Sequence, residues 1–313
     1  MSHKRTQNRI AESRIALPFA IVYGILVCMA YGVWGKNLWI TTAGFAISTL
    51  LMAELNNSNA LIRIYSRMVS CSFLFLSVMS IFLLHSMQAT IVVLCFIAFY
   101  LSLFKAYQNK KATGWVYYAF FAIGMASLVF VKVLYFVPIL WFLLIFKVLS
   151  FSPKTFVASL LGLITPYWFI GGYDAYSHNF HWVANHFKEM TEFFMICDYQ
   201  VLSQHQLITF AWIALLLLIG TIHFLNKRYN DKLRTRMLYD VFIVTGWCAI
   251  VFCILQPQHY FELLGIIIVN TAPLVGHFIA TTQTKFTNFS FYIILIVTLA
   301  ITFFNVWMPS MTF

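Results

Sequence analysis

Charge is what this sequence has least of. Asp, Glu, Lys and Arg together make up 9% of its 313 residues, where a soluble domain carries about 25%. A water-soluble chain so poor in charge would be covered in exposed apolar surface, so lipid is the solvent for most of this one. Acid is scarcer still: nine Asp and Glu stand against twenty Lys and Arg, a net charge of +11. Six cysteines form no CxxC pair and no disulfide framework. Five of them (Cys28, Cys71, Cys95, Cys248 and Cys253) lie in apolar runs, where a thiol behaves as a small hydrophobe, and Cys197 stands alone. No complete HExxH motif is present, so no motif asks for zinc. No soluble-type repeat or appended soluble domain interrupts the pattern, and most connecting segments are too short to fold by themselves. The basic start, residues 1–14, leads into an apolar run with no small-residue cleavage site, so it is expected to remain as an anchor.

What the chain does have is apolar length. It is 62% hydrophobic and 19% aromatic, with a mean hydropathy of +0.84. Spanning the roughly 30 Å hydrocarbon layer takes about 20 apolar residues in a helix. The runs here are continuous rather than alternating, which excludes a β-barrel and leaves helices, whose backbones satisfy themselves in lipid. Spans are expected near 16–34, 37–53, 68–86, 89–104, 113–131, 133–149, 155–171, 206–225, 238–255, 262–281 and 289–308. The fold class is therefore all-α, a polytopic bundle of about eleven spans. The pair at 113–149 is nearly fused around Lys132; a re-entrant pair there would leave nine crossings and the same orientation.

Basic residues fall on alternate sides of these runs. With the N-terminus inside, only Lys36, Lys132 and Lys188 lie outside, and the other seventeen Lys and Arg lie inside. That asymmetry is the positive-inside signal. The excess charge is then a topology device suited to anionic headgroups, and it implies membrane lipids rather than nucleic acid as partners. An odd number of spans leaves the C-terminus outside. The one sizeable extramembrane segment is 172–205, after the Gly171-Gly172 turn. Phe180, Val183, Phe187, Met190 and Phe194 recur there at helical spacing, the pattern of an amphipathic helix on the outer leaflet or over the bundle. Aromatics near span ends, Trp34, Trp39, Trp115, Tyr167, Trp168 and Trp307 among them, fit interfacial belts.

Four groups of residues are able to carry chemistry. His259 and Glu262, in a short outside loop leading into a span, form a candidate acid–base pair, although a glutamate there also suits a helix N-terminus. Asp174, His178 and His181 share a helical face, with His186 and Glu189 nearby. Without a ligand motif they are taken as a polar face, so His181 joins the candidate catalytic set and no metal site or cofactor is assigned. Lys132, between two tightly spaced spans, either snorkels to the headgroups or binds an anionic group. Inside, Asn57 or Ser58 is expected to cap the next helix, and Arg63 and Arg67, one turn apart, to meet lipid phosphate or to mark topology; Asn57, Arg63 and Arg67 join Lys132 as headgroup-binding candidates.

Three stretches carry a resemblance: Glu54-Leu55-Asn56-Asn57 with Arg63; Tyr135-Phe136-Val137-Pro138; and Leu161-Gly162-Leu163-Ile164-Thr165-Pro166-Tyr167-Trp168. Through them residues 53–173 resemble an uncharacterised bacterial family of polytopic inner-membrane proteins. That resemblance implies a multi-pass fold in a bacterial envelope and brings no activity. The short alternating spans and the Gly-Leu-Ile-Thr-Pro-Tyr segment are also similar to polytopic glycosyltransferases that use lipid-linked sugars. Those enzymes keep an acidic residue in the first outside loop, where this chain has only Gly35-Lys36-Asn37.

The expectation is an inner-membrane protein that transfers or exports an envelope lipid or lipid-linked glycan. Its working face would be outside, where six of nine histidines and five of nine acids fall. Two alternatives stand beside it: a non-catalytic scaffold with a protein partner in the membrane, and a solute transporter, which requires polar residues in mid-span. The orientation is directly testable. An accessibility tag placed within residues 227–236 should react from the cytoplasm, and a periplasmic reaction would turn the working face upside down.

Overall fold

The structure is a computed structural model. It describes residues 6–176, 181–193, 197–282 and 284–307, without the side chains of 175 and 181–184. Among the described residues the regular structure is helical, and each expected span falls on helical structure, with a 3₁₀ turn in the 68–86 run and 3₁₀ and π turns in the 133–149 run. The order is α1 (Thr6–Glu12), α2 (Ala16–Tyr31), α3 (Trp39–Asn59), α4 (Met68–Met79), α5 (Met87–Leu103), α6 (Thr113–Val129), α7 (Val137–Leu143), α8 (Pro153–Tyr176), α9 (His181–Thr191), α10 (Gln204–Lys227), α11 (Leu233–Leu255), α12 (Tyr260–Thr281) and α13 (Lys285–Trp307). Seven helical stretches are long and apolar enough to cross a membrane. An eighth is the pair α1 and α2, bent by 91°, if the two form one span. Helices α4 and α6 are apolar but shorter. Helix α3 is long enough, but its polar last turns, Glu54 to Asn59, dilute its apolarity.

Several helical runs are interrupted, and each interruption is met by a local or long-range contact. Helix α4 stops at Met79, and Asn305 of α13 donates its Nδ2–H to the freed Met79 carbonyl at 2.7 Å. Between α6 and α7, Phe130 is extended and Val131–Phe136 winds as a tight 3₁₀ stretch. Pro138 sits in the first turn of α7, where its missing N–H removes nothing. The chain then runs back to where α6 began: the Gln108 N–H donates to the Val148 carbonyl at 2.9 Å, and the Ser152 hydroxyl to Lys110 at 3.0 Å. The 113–149 region is thus two antiparallel helices.

Helix α12 is the centre of the bundle, buried along its whole apolar window, with α4, α5, α10 and α11 packed around it. Helices α2 and α13 lie against α4, α3 lies against α4 and α5, and α6 packs on α5 and carries α8. The α6–α8 crossing is very close. A methyl group on Gly162 would sit 2.5 Å from the Tyr117 carbonyl oxygen, and one on Gly124 would sit 2.9 Å from that of Leu163. Small residues let two backbones approach in lipid, where dispersion rather than the hydrophobic effect holds helices together.

Long-range polar contacts sort the helix ends into two groups. At one end, Gln7 donates to the Ile279 carbonyl, Arg234 to Asn59 and Phe104, and Lys147 to Asp240. Arg63, Arg67, Lys110 and Lys111 belong to the same end, which is therefore the basic one. The far end gathers Tyr31, His85, Lys132, His259 and Trp307.

Gly162→Leu should cost about 3 kcal/mol by overpacking and should lower the thermal midpoint measured in detergent. Gly171→Leu, with open space around it, should leave the midpoint unchanged.

Candidate functional site

The far end holds a cavity of about 680 Å³. Four separate pieces of chain build it, each held by local chemistry. Ser86 is the N-cap of α5: its extended backbone lets its Oγ accept from the Ala89 N–H at 3.0 Å. The same hydroxyl donates to Glu262 Oε1 at 3.3 Å, because a hydroxyl has a proton and lone pairs to use at once. Glu262 lies in the first turn of α12, where the helix dipole favours a carboxylate, and is itself buried. The turn Pro257–His259 leads into that helix. The third piece is the 131–136 stretch, which turns Lys132 inward until 2% of it is exposed.

Lys132 is the strut of the cavity. Its Nζ donates to the Glu192 backbone carbonyl at 2.7 Å and lies 2.7 Å from His259 Nε2. An ammonium group only donates, so Nε2 accepts and the imidazole carries its proton on Nδ1. The Phe130 ring packs 5.1 Å from the His259 ring, and the Phe193 ring lies 5.6 Å from the ammonium. The fourth piece is the end of α9. The Tyr135 hydroxyl donates to the Met190 carbonyl at 2.5 Å, and His186 Nε2 lies 2.8 Å from the Ser127 carbonyl. These contacts lay α9 over the ends of α6, α8 and the 131–136 stretch, and bring Glu189 and Glu192 to the cavity wall.

Three carboxyl groups (Glu189, Glu192 and Glu262) therefore line the cavity with one lysine, two histidines (His85 and His259), Ser86 and Gln258. Donors and acceptors of both signs face a space walled elsewhere by Phe130, Val131 and Phe261. Such a lining suits a polar, hydroxyl- or amine-bearing group better than a bare phosphate. Among the described residues it contains no arginine, the side chain that grips phosphate in a bidentate fork.

The structure thus unites Lys132, His259 and Glu262. His178 lies outside the described residues. His181 opens α9, and its side chain lies outside them too. Arg63, Arg67 and Asn57 are at the opposite, basic end. There Arg67 Nε donates to the Tyr65 hydroxyl at 3.2 Å. Asn57 does not cap the next helix, because α3 runs through it to Asn59. Next to α4 it is the Ser66 hydroxyl that accepts, from the Met68 N–H at 3.2 Å. Asn56 ties back instead, donating to the Ser66 carbonyl at 2.8 Å. Among the described residues no group of three His, Cys, Asp or Glu is arranged to hold a metal ion.

Sequence reasoning brings Glu189 forward with the histidines of its segment, but not Ser86, Gln258 or Glu192 as members of this lining. Serine just before an apolar run is an N-cap signal, but nothing in it announces a second bond to Glu262. A buried network at the basic end was also missed: His277 Nε2 lies 3.0 Å from Asp231, and His223 lies 3.1 Å from the Thr281 hydroxyl. Comparison with protein-family models, curated proteins and solved structures returns no match.

The docking of α9 is testable. Removing two of its long-range ties with Lys132→Met and Tyr135→Phe, while His186 still meets Ser127, should remove about 2–4 kcal/mol of holding energy. Hydrogen exchange across 185–193 should then accelerate, while that of α12 should stay slow.

Proposed function

We propose that this chain is a multi-pass inner-membrane protein that transfers or exports an envelope lipid or lipid-linked glycan, with the far-end cavity as its working site. The observation that carries this reading is the convergence of Lys132, His259 and Glu262 on one polar cavity at the level where helix ends meet headgroups. In the orientation that the basic residues favour, that end faces the periplasm and the N-terminus faces the cytoplasm.

The roles follow from the geometry. Lys132 positions His259 and fixes its tautomer, so it acts through its neighbour. Glu262 is the acceptor placed to take a hydrogen bond, or a proton, from a substrate hydroxyl or amine. His259, held by Lys132, sets its ring in the cavity wall, and Glu189 and Glu192 add acceptors at the rim. A sugar or an amine-bearing headgroup offers the groups this set recognises. A bond-making reaction on such a group needs a base at hydrogen-bond distance from it, worth about 10²–10⁴-fold in rate.

One observation favours the scaffold reading beside it. Trp168, Phe169, Tyr173 and Tyr176 of α8 are all at least 70% exposed and lie toward the far end. An aromatic surface of that kind serves equally as an interfacial belt or as a seat for a membrane partner.

In a strain lacking the gene, chains carrying Glu262→Gln or His259→Phe should fail to complement, with at least about 100-fold less of the lost activity. The double variant Arg63→Ala/Arg67→Ala should complement. Full complementation by both cavity variants at normal membrane levels would reject the reading, and co-purification of a stoichiometric second subunit would favour the scaffold.

A further inference from the structure

A second cavity, of about 660 Å³, lies between α2 and α13 beside the first. Its depth is closed by the Tyr23 hydroxyl, which donates to Thr302 Oγ1 at 3.0 Å. Its wall is apolar along Ala30 and Phe303, and Trp307 and Lys36 stand at its far-end mouth. Phe303 is 63% and Trp307 50% exposed, so the groove opens sideways along a lipid-facing surface. Lys36 is exposed, its Nζ stands 3.6 Å over the Tyr31 ring, and no ion pair among the described residues neutralises it. An apolar trough ending in an unneutralised cation at headgroup level is complementary to a lipid chain that ends in a phosphate.

The groove also adjoins the far-end cavity. Tyr31 lines the groove and His85 lines the cavity. The Tyr31 hydroxyl lies 3.4 Å from His85 Nδ1, and the two rings meet edge-on at 5.7 Å. One hydrogen-bonded pair is the partition between the two spaces.

We infer that the α2–α13 groove binds a glycerophospholipid from the surrounding bilayer, with an acyl chain along Ala30 and Phe303, its phosphate on Lys36, and its headgroup directed past Tyr31 and His85 into the far-end cavity. The last clause rests on the functional reading above; the binding of chain and phosphate does not. Among the described residues Lys36 stands apart from any carboxylate at the mouth, whereas the cation of the cavity, Lys132, is engaged by His259 and the Glu192 carbonyl and faces three carboxyl groups, so the phosphate stays at the mouth and only the uncharged or amine-bearing part of the headgroup passes inward. The occupant is a phospholipid because the groove opens onto the exposed apolar flank of the bundle at Phe303 and Trp307 and ends at the Lys36 cation, the match for an acyl chain that carries a phosphate. A prenyl phosphate would satisfy the same cation and is separated by the test.

The test uses the full chain in detergent micelles, with retained lipid read by native mass spectrometry after addition of phosphatidylglycerol, diacylglycerol or a prenyl phosphate. Phosphatidylglycerol should be retained at one per chain. Retention should fall at least about tenfold in Lys36→Ala, the loss of one charge-assisted contact. It should fall similarly in Ala30→Trp, which fills the trough from an exposed position. Lys188→Ala should retain lipid as the wild type does. Equal retention of diacylglycerol, preferred retention of the prenyl phosphate, or undiminished phosphatidylglycerol in both groove variants would overturn the inference. Tyr31→Phe keeps the ring and removes the bond to His85, so it should keep lipid retention while changing complementation. If groove variants release lipid but Glu262→Gln still complements, the functional reading fails and the lipid site stands. If Glu262→Gln fails to complement while the groove variants hold lipid, the reverse is true.

Discussion

A polar group withdrawn from water must find its partner inside the protein, and helix α12 is where that constraint acts most strongly. It is buried all round, yet it carries Glu262, Asn270, Thr271 and His277. Leaving any of them unpaired would cost on the order of 2 kcal/mol or more. Each is met: Glu262 by Ser86, Asn270 by the Tyr100 hydroxyl at 2.6 Å, Thr271 by the Ile267 carbonyl, and His277 by Asp231. Three of these partners belong to other parts of the chain, spread along the length of the helix. Together they set the rotation and depth of α12 against α5 and the 228–232 loop. An all-apolar helix would have slid or turned at little cost, since lipid tails and leucine side chains are equally apolar.

The two ends of the bundle answer the same constraint differently. At the basic end, side chains close over backbone carbonyls. Gln7 and Asn8 of α1 reach Ile279 and Thr282, while Arg236 ties down Asp231 and Tyr229. The 91° bend between α1 and α2 lays α1 across this end so that it can make those bonds. At the far end the polar groups surround space instead of filling it. Lys132, His259, Ser86 and Glu262 hold one another at a cavity wall, which leaves a polar volume among apolar helices. At the far end satisfied groups still face an opening, which is why the proposed ligand site is there.

The exterior completes the picture. Large aromatics such as Trp34, Trp168 and Phe289 are exposed on the bundle flank, which only a lipid solvent makes favourable over so wide a surface. The α2–α13 groove is open to that solvent and separated from the polar cavity by one tyrosine and one histidine. A molecule with a hydrocarbon chain and a polar head matches both spaces at once.

Much of this was decided along the chain. An apolar run of about 20 residues closes its own hydrogen bonds within one segment, so helix positions follow from local composition. The two antiparallel helices at 113–149 follow the same logic, since Lys132 marks the polar turn between them. The cationic asymmetry, likewise one-dimensional, set apart the end that holds Lys132, His259 and Glu262. Tertiary packing decided which of those residues meet. Lys132 and His259 are 127 positions apart, and Ser86 and Glu262 are 176 apart. Their contact depends on helix rotations set by the buried pairs of α12 and by the close α6–α8 crossing. Packing also ran α3 through Asn57 and turned His186, a polar residue of an amphipathic segment, inward onto Ser127. Such outcomes are illegible in sequence because they depend on where another segment's unpaired carbonyl or hydroxyl comes to lie.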